Sequence, residues 1–275
     1  MSHTLPYWHV DAFADRPFTG NQAAVMPLDQ WLPDETLRAI AAENNFAETA
    51  FTVPDVSGAG DYELRWFTPT SEVALCGHAT LAAGHVLLGR AGTARVTFRT
   101  RKAGILEVRR AGEAYELDLP VTRVAPRDNP ELLAALGATG EVFVSVSGAE
   151  ATAIVLFADE AQIRALRPDM RALGAIDLMA ICTAPGDGSA SGADVVSRVF
   201  VPAWGVDEDS VTGSAHAALA PFWAERLGRD SFTAHQASAR GGELTCRLVS
   251  GNAGERAVIG GRCVTVLEGS FYLSG

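Results

Sequence analysis

Two stretches of this chain place side chains capable of chemistry at the same step of the same local pattern. Residues 72–89 read EVALCGHATLAAGHVLLG, and residues 208–223 read EDSVTGSAHAALAPFW. In each, a Glu stands five residues ahead of a Gly, Glu72 before Gly77 and Glu208 before Gly213. A thiol or hydroxyl comes just before the Gly (Cys76, Thr212), an imidazole or hydroxyl just after it (His78, Ser214), and then Ala79 or Ala215. Asp209 and Glu48 complete the titratable set. Such groups can carry protons or, once activated, act as nucleophiles. The ordinary reading of an isolated Glu is a solvated surface residue, and Asp209 could equally decorate a loop.

The surrounding elements decide between these readings. Each stretch reads as a strand, a polar loop, and a helix that begins at the Gly-His or Gly-Ser step. Over their first three turns the helices have almost no polar face, and a helix that is apolar all round is a buried one. Its first N–H groups still need partners. Ser214 could supply one as an N-cap, and a bound anion could supply others, because aimed N–H groups and the helix dipole favour negative charge. Plain core is the usual meaning of one such helix. The duplicated polar residue at the helix start favours a ligand. Upstream the echo continues, Arg65-Trp-Phe-Thr-Pro69 matching Arg198-Val-Phe-Val-Pro202 at an offset of 198 − 65 = 133. The repeat predicts two helix starts facing a shared cleft that holds a carboxylated ligand.

With 275 residues, 48% hydrophobic and 20% charged, the chain can bury a sizeable core. A net charge of −11 argues against nucleic acid or an anionic membrane as partner. Cys76, Cys182, Cys246 and Cys263 lack the paired spacing of a zinc or disulfide framework. The N-terminus, MSHTLPYW, does not read as a signal peptide. No stretch approaches the roughly 18 apolar residues of a membrane span. A cytoplasmic protein is expected.

In chain order, strands are expected at 8–13, 21–26, 48–53, 62–67, 96–100, 105–108 and 115–119, with a helix opening at Pro33-Asp34-Glu35. Residues 120–130, polar and proline-bearing, read as a linker. The second half repeats the plan: helices at 132–136 and 160–166, and strands at 142–146, 152–157, 179–183 and 195–200. The second buried helix follows, then strands at 232–234, 243–249, 257–259 and 263–267. The expected fold is α+β, two pseudo-symmetric domains at 1–120 and 121–275, with the last strand able to return to the first domain. Each would be a barrel-like, mostly antiparallel sheet around its own helix. Dinucleotide and P-loop fingerprints are absent.

Gly20-Asn21 with Ala24-Val25, Glu48-Thr-Ala-Phe51, Phe67-Thr-Pro69 to Glu72, Cys76-Gly-His-Ala-Thr80 and Glu208-Asp-Ser-Val-Thr-Gly-Ser-Ala-His216 together resemble the phenazine-biosynthesis isomerase (PhzF) family of the diaminopimelate epimerase superfamily. The resemblance covers nearly the whole chain. It implies the two-domain epimerase-like fold, a homodimer, and no metal or organic cofactor. It implies that Glu48 is the acid/base residue, and that His78, Asp209 and Ser214 position substrate and assist proton movement. Gly77 and Gly213 would offer N–H groups to a carboxylate, with Asn21, Cys76 and Thr212 binding substrate. Phe46, Ala47 and Ser210 depart from the family's usual residues, so the resemblance implies the acid/base residue without fixing the phenazine-pathway substrate. A Glu closed into such a cleft is expected to have a raised pKa. Two further readings stand beside an isomerase of a small carboxylated metabolite. One is an amino-acid racemase or epimerase working through Cys76, opposed by Thr212, which is no base without an activator. The other is a non-catalytic carboxylate-binding protein.

Overall fold

The computed structural model describes residues 3–148, 150–188, 192–251 and 254–273. The chain divides into two compact units, Met1–Asp118 with Gly260–Gly275, and Leu119–Ile259. The first contains β1 (His3–Ala12), β2 (Asn21–Pro27), α1 (Asp34–Asn44), β3 (Glu48–Pro54), β4 (Tyr62–Phe67), β5 (Glu72–Val73), α2 (Gly77–Ala91), β6 (Arg95–Thr100), β7 (Ile105–Ala111) and β8 (Ala114–Pro120). The second contains β9 (Val124–Pro126), α3 (Pro130–Leu136), β10 (Glu141–Ser145), β11 (Thr152–Leu156), α4 (Glu160–Ala165), α5 (Met170–Leu173), β12 (Met179–Pro185), β13 (Val195–Val201), β14 (Val206–Asp209), α6 (Gly213–Leu227), β15 (Ser231–Gln236), β16 (Gly242–Gly251) and β17 (Gly254–Gly261). The last strand, β18 (Cys263–Leu273), lies antiparallel to β1 in the first unit.

Both units follow one topology, the epimerase-like α+β plan that the repeat predicts. In the first, β1 pairs with β2, β2 runs parallel to β3, β3 pairs with β4, and β4 runs parallel to β6. In the second, β10 pairs with β11, β11 runs parallel to β12, β12 pairs with β13, and β13 runs parallel to β15. The parallel pairs are those whose connection carries a helix, as a crossover requires. Even the outer strands correspond, because β9 pairs with β10 as β18 pairs with β1. Residues 120–130, expected as a linker, therefore carry a ladder strand. The expected polar loops after β4 and β13 each fold back as a short strand, β5 or β14.

Helix α2 touches β1, β2, β3, β6, β7 and β18. From Gly77 to Leu88 every residue except His85 is buried. A helix without a polar stripe reaches this state only if sheet covers it on several sides. Strand β3 is buried on both faces. Phe51 joins Met26, Leu37, Ile40 and Phe67 in a cluster under α1, while the alternate residues Glu48, Ala50 and Thr52 share the other face. Helix α6 is buried from Ala215 to Ala224. A second cluster, including Leu132, Val155, Ile163, Leu173 and Phe200, fills the space under α3, α4 and α5. Among the described residues no helix is long and apolar enough to cross a membrane.

Gly84 marks the closest approach of α2 to the sheet. A Cβ there would lie 2.4 Å from Val108 Cγ1 and 2.7 Å from Val108 Cβ on β7. The Gly84→Ala variant is expected to lose about 1–3 kcal/mol by overpacking, despite the better helix propensity of Ala. The midpoint of urea denaturation measures this. An unchanged or raised midpoint would show that α2 and β7 have room to separate.

Candidate active site

Strand alternation aims Glu48, the first residue of β3, at the start of α2. Its Oε2 lies 3.2 Å from His78 Nε2, with the Glu48 side chain 17% exposed and that of His78 4%. His78 occupies the second position of α2, and its Nδ1 lies 3.1 Å from Asn21 Nδ2 on β2. An amide N–H can only donate, so Nδ1 is the acceptor. The neutral ring then carries its proton on Nε2, the nitrogen in 3.2 Å contact with Glu48 Oε2, although the contact lacks hydrogen-bond geometry. Asn21 thus favours the tautomer whose N–H is on the Glu48 side of the ring. Cys76, at the N-cap of α2, places its buried Sγ 3.5 Å from Nδ1 and 4.0 Å from Nε2. Four residues from three separate stretches, Asn21, Glu48, Cys76 and His78, therefore meet at one helix start, with Gly77 between the last two. Glu48, Cys76 and His78 each offer a ligand atom, all within 4.8 Å of one another, a donor set able to hold a metal.

The start of α6 has its own network. Thr212 is the N-cap residue, and neither it nor Cys76 makes a side-chain cap hydrogen bond to its helix. Ser214, expected as a cap, instead sits half-buried at the second helical position, because the helix begins at Gly213. The Thr212 hydroxyl donates to Asp209 Oδ2 at 2.6 Å, and Asp209 Oδ1 accepts from Ser210 N at 2.9 Å. Gln236, fully buried at the end of β15, joins these residues. Its Oε1 accepts from Thr212 N at 2.9 Å, and its Nε2 donates to Asp209 O at 2.8 Å and to Thr212 Oγ1 at 3.2 Å.

The repeat preserves one detail with different chemistry. The Thr80 hydroxyl donates to Cys76 O at 2.5 Å, and the matched His216 bonds Thr212 O through Nδ1 at 2.8 Å. A carbonyl only accepts, so His216 carries its proton on Nδ1. Its Nε2 is buried without a hydrogen-bond partner. Burial pushes the His216 pKa down to about 4, against the raising effect of the Thr212 carbonyl and with a small contribution from His235. This has a stability consequence. Between about pH 6.5 and 4 the unfolded chain binds a proton here that the folded chain refuses, so stability falls as pH drops through that window. The full shift is worth on the order of 3 kcal/mol. Urea denaturation at pH 7 and pH 4.5 is expected to show this loss, and His216→Gln to flatten it. An equal slope in the variant would assign the loss to other groups.

A matched pair of ionic clamps fastens the strand ends that lead into both helices. Arg65 donates from Nε and Nη2 to the two oxygens of Glu72, both at 2.8 Å. Arg198 does the same to Glu208, at 2.7 and 2.8 Å. Each guanidinium lies 4.9 Å above the Phe two residues on, Phe67 or Phe200. Hydrogen bonding from Arg65 holds the Glu72 carboxyl below its ordinary pKa. The sequence shows these residues as matched letters, and their pairing follows from the fold. The available signal was that both Arg and Glu recur in both copies, where a solvated face would have let one drift. Gln236 had no such signal, because its counterpart by strand register in the first unit is Thr100.

Of the residues expected to form the site, Asn21, Glu48, Cys76, Gly77 and His78 assemble in the first unit, and Asp209, Thr212, Gly213 and Ser214 assemble in the second.

Comparison with known proteins adds independent findings. A family profile described as phenazine biosynthesis-like protein (PhzC-PhzF) matches residues 10–269. An uncharacterized isomerase of Pseudomonas aeruginosa is 45% identical over 272 residues, covering 98% of this chain and 99% of the relative. The crystal structure of a PhzF-family protein from Enterococcus faecalis superposes with a TM-score of 0.87 at 41% identity, covering 98% of this chain and 100% of the other. A hydroxyproline epimerase from Agrobacterium vitis, with trans-4-hydroxy-L-proline bound, superposes with a TM-score of 0.63 at 14% identity, covering 99% of this chain and 93% of the other. At that identity the likeness is one of fold alone.

Proposed function

The chain belongs to the phenazine biosynthesis-like (PhzC-PhzF) family, whose members include proteins named as isomerases, and from that premise we propose that it moves a proton between carbons of a small carboxylated metabolite without a cofactor. The observation that carries this reading is the Glu48–His78 contact, a carboxylate placed 3.2 Å from an imidazole N–H at the start of a buried helix. Glu48 takes the proton from one carbon and returns it to another. His78, held in its donor tautomer by Asn21, steadies the carboxylate and relays the proton. Deprotonating a carbon acid requires stabilisation of the charge that develops, and fixed N–H donors supply it. The backbone N–H of Gly77, at the same helix start, holds the substrate carboxylate. The stack of Phe46 on His9, ring centroids 4.4 Å apart, contributes an aromatic wall two residues before Glu48. The working form is proposed to be a cytoplasmic homodimer.

A second reading follows from the Cys76 thiol lying beside His78, in which Cys76 is the base of an amino-acid racemase. Incubation of candidate carboxylates in heavy water separates the two. Solvent deuterium should enter the substrate with the wild-type protein and with Cys76→Ala. Exchange that stops in Cys76→Ala but persists in Glu48→Gln would replace the first reading with the second.

A further inference from the structure

We propose that Glu48, Cys76 and His78 form a binding site for Zn2+, and that the ion competes with the proton chemistry of the same side chains. The competition rests on the acid/base reading above, whereas the binding does not. A carboxylate oxygen, a thiol sulfur and an imidazole nitrogen lie within 4.8 Å of one another. Ligand bonds of about 2.0–2.3 Å in a tetrahedral zinc site separate neighbouring ligand atoms by roughly 3.3–3.8 Å. Here Nε2 to Oε2 is 3.2 Å and Sγ to Nε2 is 4.0 Å. These two separations lie close to the tetrahedral values, and closure onto an ion at Nε2 also requires Sγ, now nearer Nδ1 at 3.5 Å, to swing toward Nε2. Thiolate and imidazole favour zinc over magnesium or calcium, which prefer all-oxygen sites.

The outer partner that a metal-bound imidazole needs is already present. With zinc on Nε2, the ring proton moves to Nδ1 and must be accepted there. Asn21 stands 3.1 Å from Nδ1 through its amide nitrogen, so a half-turn of the amide presents Oδ1 instead. The proton balance is simple. The imidazole keeps one proton and transfers it between its nitrogens, while the thiol must ionise and release its proton to solvent as the Zn–S bond forms. The remaining coordination is completed by water. A Glu48 carboxylate engaged by the ion can no longer take a proton from carbon. Cys182 and Cys246 are fully buried, and among the described residues no second group of three metal-ligating side chains lies this close.

Titration of the intact protein with Co2+, followed by displacement with Zn2+, tests the site without knowledge of the substrate. The expected result is a sulfur-to-cobalt charge-transfer band that saturates at one equivalent and is erased by zinc. Cys76→Ser and Cys76→Ala should lose the band while keeping the far-ultraviolet circular dichroism of the folded chain. Cys263→Ser should keep it, and Asn21→Ala should weaken binding about 10–100-fold. No band at one equivalent, or a band that survives in folded Cys76→Ser, overturns the site. Stoichiometric zinc that leaves deuterium uptake unchanged overturns the competition alone. Loss of uptake in metal-free Glu48→Gln would show the acid/base reading standing by itself.

Discussion

Glu48→Gln is expected to lower deuterium exchange into the substrate by about 10²–10⁴-fold, the usual worth of a positioned general acid/base. The substitution preserves shape. Gln has nearly the same size and can keep the contact that Glu48 Oε2 makes with His78 Nε2 at 3.2 Å, so the helix start keeps its geometry. What disappears is the capacity to take a proton from carbon. The fall should therefore appear in kcat with KM nearly unchanged, because the carboxylate of the substrate is assigned to a backbone N–H group rather than to this side chain. Exchange kinetics in heavy water, with substrate saturation curves for both proteins, measure it. Wild-type turnover in Glu48→Gln would end the proposal for Glu48.

Gln236→Leu is expected to cost about 2–4 kcal/mol and to slow exchange as well. Leu fills nearly the same space, so little cavity forms. It leaves the Thr212 N–H and the Asp209 carbonyl without the partners they have at 2.9 and 2.8 Å, in a place where Gln236 itself is fully buried. Each buried backbone group left unmatched costs roughly 1–3 kcal/mol. Gln236→Glu retains an acceptor for Thr212 N but loses the donor to Asp209 O, and its loss should be of comparable size once the cost of burying a carboxylate is added. Urea denaturation gives the stability change. A Leu variant as stable as wild type would mean that water replaces the side chain and that the loop before α6 is not held from β15.

Much of the fold was legible because its signals are local. Two apolar helices with glycine at their starts, one repeat offset, and period-two strands are properties of short windows, and each survives translation into a buried helix wrapped by sheet. Segment 120–130 misled for the same reason. Its prolines and charges look like a linker, yet Val124, Ala125 and Pro126 pair with Ser145, Val144 and Phe143. Edge pairing requires only that the ladder side of the strand be free, which composition does not reveal. Ser214 misled by position, since a Ser beside a helix start reads as a cap until the helix is seen to begin one residue earlier, at Gly213.

By itself the sequence determined that two equivalent helix starts exist, which polar residues they carry, and that both helices are buried. It also determined the family, because five short motifs recur in order over most of the chain. Only the tertiary structure decided which side chains meet there. Asn21 reaches His78 across 57 residues, Gln236 reaches Thr212 across 24, and each Arg finds its Glu through a folded-back strand. Hydrophobic periodicity is written residue by residue along the chain. A hydrogen bond between distant strands depends instead on the path and register of every crossover between them, and that information belongs to the packed sheet as a whole.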